Sequence, residues 1–250
     1  LDGFGDKAAS SRGFQWGTDT NYGTTVNDTS STEFTVRKTF GAWTSDPDPQ
    51  PWFGVGATGP NDIAQDSSGN IYTIEDFRPY VFKYSADGAY LGKILISPDE
   101  NTYAHYRSIA IDASGNIILA GSNNDWNAAE IKKFSPAGNV IYTITPPVGS
   151  GAESYGAFLN IALDGSGNLY ASSGGTEIYK FNASSGAYVQ SFTATGPGYD
   201  QPNIGFSGMD ADSSGNLFIA DWGGRLHKMT AAGSFSILLD GSDGSPSNVL

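Results

Sequence analysis

The chain contains no cysteine, two histidines, few basic residues and no long apolar run. Without cysteine there is no disulfide framework, no thiolate nucleophile and no Cys–zinc site. Lys and Arg number 13 against 26 Asp and Glu, a net charge of −13. Nucleic acid is recognised through a basic surface that releases counterions, so it is not an expected partner. Anionic membranes repel such a chain, and no stretch approaches the roughly 20 apolar residues of a spanning helix. Charged residues make up only 16% of the 250, while glycine (33 residues) and aromatics (13%) are plentiful. That balance suits many short strands and tight turns in a single domain. The sequence starts at Leu1 without Met or a signal-like segment, as expected of a processed or trimmed protein. A surface rich in Ser, Thr, Asn and Gly and poor in Lys points to an extracellular or cell-surface location.

Four segments repeat: Ile63–Asp76 (IAQDSSGNIYTIED), Ile109–Ser122 (IAIDASGNIILAGS), Ile161–Gly174 (IALDGSGNLYASSG) and Met209–Trp222 (MDADSSGNLFIADW). Each reads as an apolar strand, an Asp-x-Ser-Gly-Asn turn and a second apolar strand. Asp66, Asp112, Asp164 and Asp212 can accept turn amides, and the glycine three residues on can take positive φ. A third strand ends at Tyr84, Phe134, Phe181 or Met229, a turn around Gly88, Gly138, Gly186 or Gly233 follows, and then a fourth strand. Four antiparallel strands repeated around a ring make a β-propeller.

The ends continue the pattern. Asn248-Val-Leu250 followed by Leu1-Asp2 aligns with Asn160–Asp164, placing turn glycines at 5, 69, 115, 167 and 215. The expectation is an all-β propeller of five four-stranded blades filling residues 1–250, with six blades as the alternative. One blade combines 246–250 with 1–41, so the C-terminal strand closes the ring on the N-terminal blade; the others span approximately 59–97, 106–145, 157–193 and 205–239. An insert, Thr18–Thr32, precedes a strand at Glu33–Phe40.

The pattern Pro-x-x-Ile-Ala-x-Asp-x-Ser-Gly-Asn-Ile-Tyr…Lys-Phe-Ser-x-x-Gly, clearest in 59–240, resembles NHL repeats. Those domains more often have six blades, and related blades occur in calcium-dependent gluconolactonases and amidating lyases. The resemblance implies the fold and an axial site in any enzymatic relative. Asn61-Asp62 resembles the gluconolactonase Asn-Asp pair, and Asn160 could stand for that family's metal-binding Asn. Ser108, Gly208 and Asn248 hold the equivalent places, and Gly208 stands where the motif would put its metal-binding Asp. One carboxylate and two amides make a poor metal cage. His105 and His227 are too few for the lyases' zinc cluster, and His227, beside Lys228, reads as a surface or packing residue. The expected cofactor is none, with calcium the one possibility.

Other motifs yield to plainer readings. Gly54–Gly59 matches Gly-x-Gly-x-x-Gly, but Pro60 and a strand follow where a dinucleotide site needs a helix. Asp210, Asp212, Ser214, Gly215 and Asp221 have EF-hand spacing, yet the spacing arises from the blade turn. There is no Gly-x-Ser-x-Gly elbow, and neither histidine has an evident Ser/Asp constellation. Asp62 is one inward carboxylate where a glycosidase needs two or three. The chain is therefore read as non-catalytic. Asn27 and Asn182 begin glycosylation sequons.

Strand alternation gives the disc two faces. First–second and third–fourth turns share one, which is small and polar. Second–third and fourth–first loops share the other, which carries Trp43, Trp52, Phe53, Phe77, Tyr80, Tyr103, Tyr106, Trp126, Tyr155, Tyr199 and Trp222. Arg78, Asn123, Asn124, Asp125 and Asn127 are interleaved. Aromatic platforms beside polar groups suit a protein surface or sugar rings. The binding residues assigned on this basis are Trp43, Trp52, Phe53, Tyr80, Tyr106, Trp126 and Trp222. The leading reading is an extracellular protein- or glycan-binding module. The alternatives are a subunit that self-assembles into a homo-oligomer or filament through its terminal strand and, third, an axial lactonase or hydrolase dependent on Asp62.

Overall fold

The computed structural model describes residues 60–75, 78–97, 105–122, 128–194 and 205–239. They form four four-stranded antiparallel sheets, each strand paired with its neighbour in sequence. The first blade is β1 (Pro60–Gln65), β2 (Ile71–Glu75), β3 (Tyr80–Tyr84) and β4 (Tyr90–Leu95). The second is β5 (His105–Ile111), β6 (Ile117–Ser122), β7 (Ala129–Phe134) and β8 (Val140–Ile144). The short helix α1 (Gly151–Tyr155) leads to the third, β9 (Asn160–Leu163), β10 (Asn168–Ser172), β11 (Glu177–Asn182) and β12 (Tyr188–Thr193). The fourth is β13 (Phe206–Ala211), β14 (Leu217–Asp221), β15 (Leu226–Met229) and β16 (Phe235–Leu239). The first strands β1, β5, β9 and β13 stand side by side around an axial cavity. This is an all-β propeller, with four blades among the described residues in place of the five or six read from the sequence. Residues 1–41 and 246–250, assigned there to a further blade and to ring closure, lie outside the described residues, as does Gly54–Gly59. No described helix is long and apolar enough to cross a membrane.

Each repeated turn is built by its aspartate. Asp66 Oδ1 accepts the amides of Ser68 and Asn70, and its Oδ2 accepts Asn70 Nδ2 and the Tyr72 hydroxyl. Asp112, Asp164 and Asp212 repeat the two amide bonds and the Asn bond. Chain reversal puts Gly69, Gly115, Gly167 and Gly215 at φ 77–82°, where a Cβ would be strained. Burial acts to raise the Asp66, Asp112 and Asp164 carboxyls, but the accepted hydrogen bonds outweigh it and hold them below the ordinary 3.8; Lys133 contributes strongly at Asp112. At Asp212 the bonds from Asn216 lead the same downward shift.

A depressed folded pKa supplies stability that is complete above the unfolded value and lost as pH falls through the folded one. Glu75 acts in the opposite sense. Burial raises its carboxyl despite Arg78, so its contribution fades as pH rises through the raised value. The four aspartates therefore dominate in acid. The melting temperature is expected to fall continuously below about pH 4, followed by circular dichroism; a flat profile down to about pH 2 would refute this account.

The core lies between blades, in three wedges. Tyr72, Ile74 and Val81 meet Tyr106, Ile117, Leu119 and Phe134 at the first joint. Ile118 and Ile131 meet Phe158, Leu169 and Phe181 at the second, and Tyr170 and Ile178 meet Phe206, Leu217 and Ile219 at the third. The third–fourth turn of each later blade closes on the fourth strand before it. A Cβ on Gly138 would stand 2.4 Å from the Leu95 carbonyl oxygen, and one on Gly233 would stand 2.3 Å from the Phe192 ring. Lys133 ties the second joint, bonding Asp112 at 2.7 Å and the Ala183 carbonyl at 2.8 Å.

Candidate functional site

The axial cavity, about 1040 Å³, is lined by the first strands of all four blades. At their starts a relay of hydrogen bonds runs from blade to blade. Asp62 Oδ2 accepts Ser108 Oγ (2.8 Å) and the Ile109 amide (2.9 Å), and its Oδ1 accepts the Ile63 amide. Ser108 Oγ accepts the Ile161 amide at 3.2 Å. Asn160 Nδ2 donates to Ser172 Oγ and to the Phe206 carbonyl, both at 3.0 Å. The two residues with metal-site resemblance are thus staples between blades, through the Asp62 carboxylate and the Asn160 amide nitrogen. Gly208 offers no ligand.

The EF-hand spacing does not become a cation loop. Both Asp212 oxygens serve the turn, Asp210 Oδ1 accepts the Ala211 amide, and Asp221, the last residue of β14, is buried against His227. Among the described residues no group of three or more His, Asp or Glu is placed to hold a metal ion.

Turns on the polar face bond within themselves, Ser85 with Ala89, Ser135 with Asn139 and Thr230 with Ser234. Asn182 there accepts from Ser184 and Ser185 in an exposed turn; Asn27 lies outside the described residues. The other face carries the candidate binding residues that are described. Trp222 is 60% exposed yet fixed: its amide donates to the Gly205 carbonyl at 3.0 Å, and its ring covers Gly205, where a Cβ would stand 3.2 Å away. It also borders the axial cavity. Tyr80 is half-buried under the Lys93 ammonium, 4.3 Å from the ring centroid. Arg78 stands 3.9 Å from Glu75.

Tyr106 corrects the sequence reading. β5 starts at His105, and a bulge between Tyr106 and Ser108 turns the tyrosine into the first joint, 4% exposed. Burial and the neighbouring Glu130 carboxylate, which accepts its hydroxyl at 3.1 Å, push that hydroxyl far above its ordinary range. It is a packing residue, not a binding one. Phe158 and Phe206 hold the same place at the other joints. Trp43, Trp52, Phe53, Phe77, Tyr103, Trp126 and Tyr199 lie outside the described residues, as do Asn123, Asn124, Asp125 and Asn127. Tyr155 is in α1, whose Ala152 amide donates to the Tyr179 hydroxyl.

His227 is a packing residue, the second of the two alternatives read from the sequence, but it has an acidic partner that reading did not give it. Its Nε2 is 2.8 Å from Asp221 Oδ2 and both side chains are fully enclosed; Arg225 Nη1 stands at 3.8 Å. The ring meets Phe206 edge-on at 5.9 Å. Enclosed in the third joint, the pair is a structural latch. Reading His227 against Lys228 missed it, since adjacent strand residues face opposite sides; pairing across the β14–β15 hairpin was the available signal.

No protein-family model matches the chain, and no curated protein matches it. Solved propellers do. The RRP9 WD40 repeats align with a TM-score of 0.55 at 17% identity, covering 74% of this chain and 52% of that one. A catalytically inactive virginiamycin B lyase from Staphylococcus aureus with quinupristin gives 0.55 at 15%, covering 77% and 58%. A protein of unknown function from Bacteroides caccae gives 0.51 at 16%, covering 76% and 63%. The matches span about half to three-fifths of these chains. At such identities the likeness concerns the fold alone.

Proposed function

We propose that this chain is a non-catalytic, extracellular or cell-surface propeller that binds a protein or glycan through its aromatic face. WD40 propellers among its structural neighbours often serve as protein-interaction scaffolds, which supports a scaffold role. The observation that carries the reading is Trp222. A large apolar ring held open to solvent by a backbone bond and a glycine seat is a pre-organised contact, with little side-chain freedom left to lose. On the opposite face the repeated Asp and Asn side chains bond within their own turns. Trp222→Ala is expected to weaken binding by about 2 kcal/mol, roughly thirtyfold, as for an interface anchor. Glycan and protein arrays probed with both forms, and with a Ser67→Ala control on the polar face, test it. An unchanged Trp222→Ala profile would count against the proposal.

In the same proposal, residues 246–250 and 1–41 supply a fifth blade. Phe82 and Tyr84 lie on the side of the first blade turned away from the second, yet are 3% and 7% exposed. A second reading, self-assembly, draws on the outer edge strands. β8, β12 and β16 carry no charged residue and expose Val140, Ile141, Tyr188, Val189, Leu238 and Leu239, without the lysines that usually guard an edge. In that reading Pro246–Leu250 completes a neighbour's blade.

A further inference from the structure

Among the described residues, the aromatic-face mouth of the axial cavity has more hydrogen-bond donors than acceptors to meet them. Arg107, third residue of β5, lines the cavity and is exposed; it has no ion-pair or hydrogen-bond partner among the described residues. Asn61 spends one amide hydrogen on a long 3.4 Å bond to the Tyr106 carbonyl. Ser207 donates to the Ala220 carbonyl, which leaves its oxygen free to accept. The acid nearest in the relay, Asp62, already accepts three bonds. Asp210 lies further along β13, towards the polar-face mouth, and holds the Ala211 amide. Among the described residues the mouth lacks an acceptor that fits a guanidinium fork, and a carboxylate fits it with two parallel bonds. Trp222, on the same rim, offers a rigid apolar surface suited to the C–H face of a sugar ring.

We infer that the mouth of the axial cavity binds an acidic sugar, its carboxylate on Arg107 and its ring against Trp222, with Asn61 and Ser207 reaching hydroxyls. This rests on the aromatic-face reading and gives it a ligand class. The net charge of −13 opposes anions at long range, but screening within about 8 Å at physiological salt confines the contest to the mouth itself.

Calorimetric titration of the full chain with trigalacturonate and with neutral galactotriose tests it. The acid is expected to bind about tenfold more tightly than the neutral sugar. Arg107→Gln should erase that difference by weakening the acid towards the neutral sugar, and Arg107→Lys should keep part of it, because the charge survives and the fork does not. Arg107 is exposed, so unchanged melting temperatures would confirm that each variant folds. Equal affinity for the two sugars, no binding of either, or an unaltered preference in Arg107→Gln would overturn the inference. Binding of indole-3-acetate without trigalacturonate would overturn the sugar assignment and leave an aromatic acid in its place. Failure here leaves the broader reading to be judged separately, on the Trp222→Ala array profile.

Discussion

Replacing Asp221 with alanine is expected to destabilise the protein by about 3–5 kcal/mol, because two hydrogen-bond partners lose their acceptor in an enclosed site, each at about 1–3 kcal/mol. Asp221 Oδ2 faces His227 Nε2 at 2.8 Å, and its Oδ1 accepts the Arg225 amide at 2.9 Å. Removing the carboxylate leaves a fully enclosed imidazole nitrogen and a turn amide without acceptors, each costing its desolvation. For a chain of this size the melting temperature should fall by about 6–20 °C. The fold supplies its own control. In the third blade the two equivalent positions hold Ser173 and Tyr179, so the double change Asp221→Ser with His227→Tyr substitutes a pair the same scaffold already accommodates. It should cost less than the sum of its single changes. Denaturant titration of the single and double variants checks this, and full additivity, or a loss under about 1 kcal/mol in Asp221→Ala, would remove the latch assignment.

Phe158→Ala should be comparably severe, about 3–5 kcal/mol. Phe158 is fully buried in the second joint and meets Tyr179 and Phe181 edge-on at 5.8 and 6.3 Å. Its amide donates to the Gly121 carbonyl at 2.9 Å, so its backbone is tied to the second blade while its ring packs on the third. With the chain pinned this way the void cannot collapse, which places the cost towards the upper end of the range. Val189→Ala, on the exposed edge strand β12, is the contrast and should change stability by less than about 0.5 kcal/mol. If the two changes cost the same in urea, stability does not reside in the joints.

Much of this architecture could be read in advance because the blade turn is a local device. Asp66 and Gly69 act within five residues, so their role is written in the repeat itself. The joints are different. Tyr106 looked like a face aromatic because it stands at the opening of a blade, and nothing in its neighbourhood announces that a bulge turns it inward. The Asp221–His227 pair required knowing which strand side each residue occupies. Asp62 and Asn160 resembled ligands because staples and ligands use the same oxygen- and nitrogen-bearing side chains, and only a neighbouring blade distinguishes them. Trp222 was placed on the correct face because a residue just after a second strand cannot avoid it. That its ring would rest on Gly205, a residue from a different loop, had no local signature.

The joints also explain why blades that look alike in sequence are not interchangeable parts. At two facing positions the four described blades carry Glu75 with Phe82, Gly121 with Lys132, Ser173 with Tyr179 and Asp221 with His227, while their turns keep Asp, Gly and Asn throughout. Each blade is therefore cut to fit one predecessor, with the lock on one side and the key on the other. Duplicating, deleting or reordering a blade would preserve every turn and mismatch two joints. The order of the blades is thus written into their flanks, and a chain built from one perfect blade copied four times would have to solve every joint with the same pair.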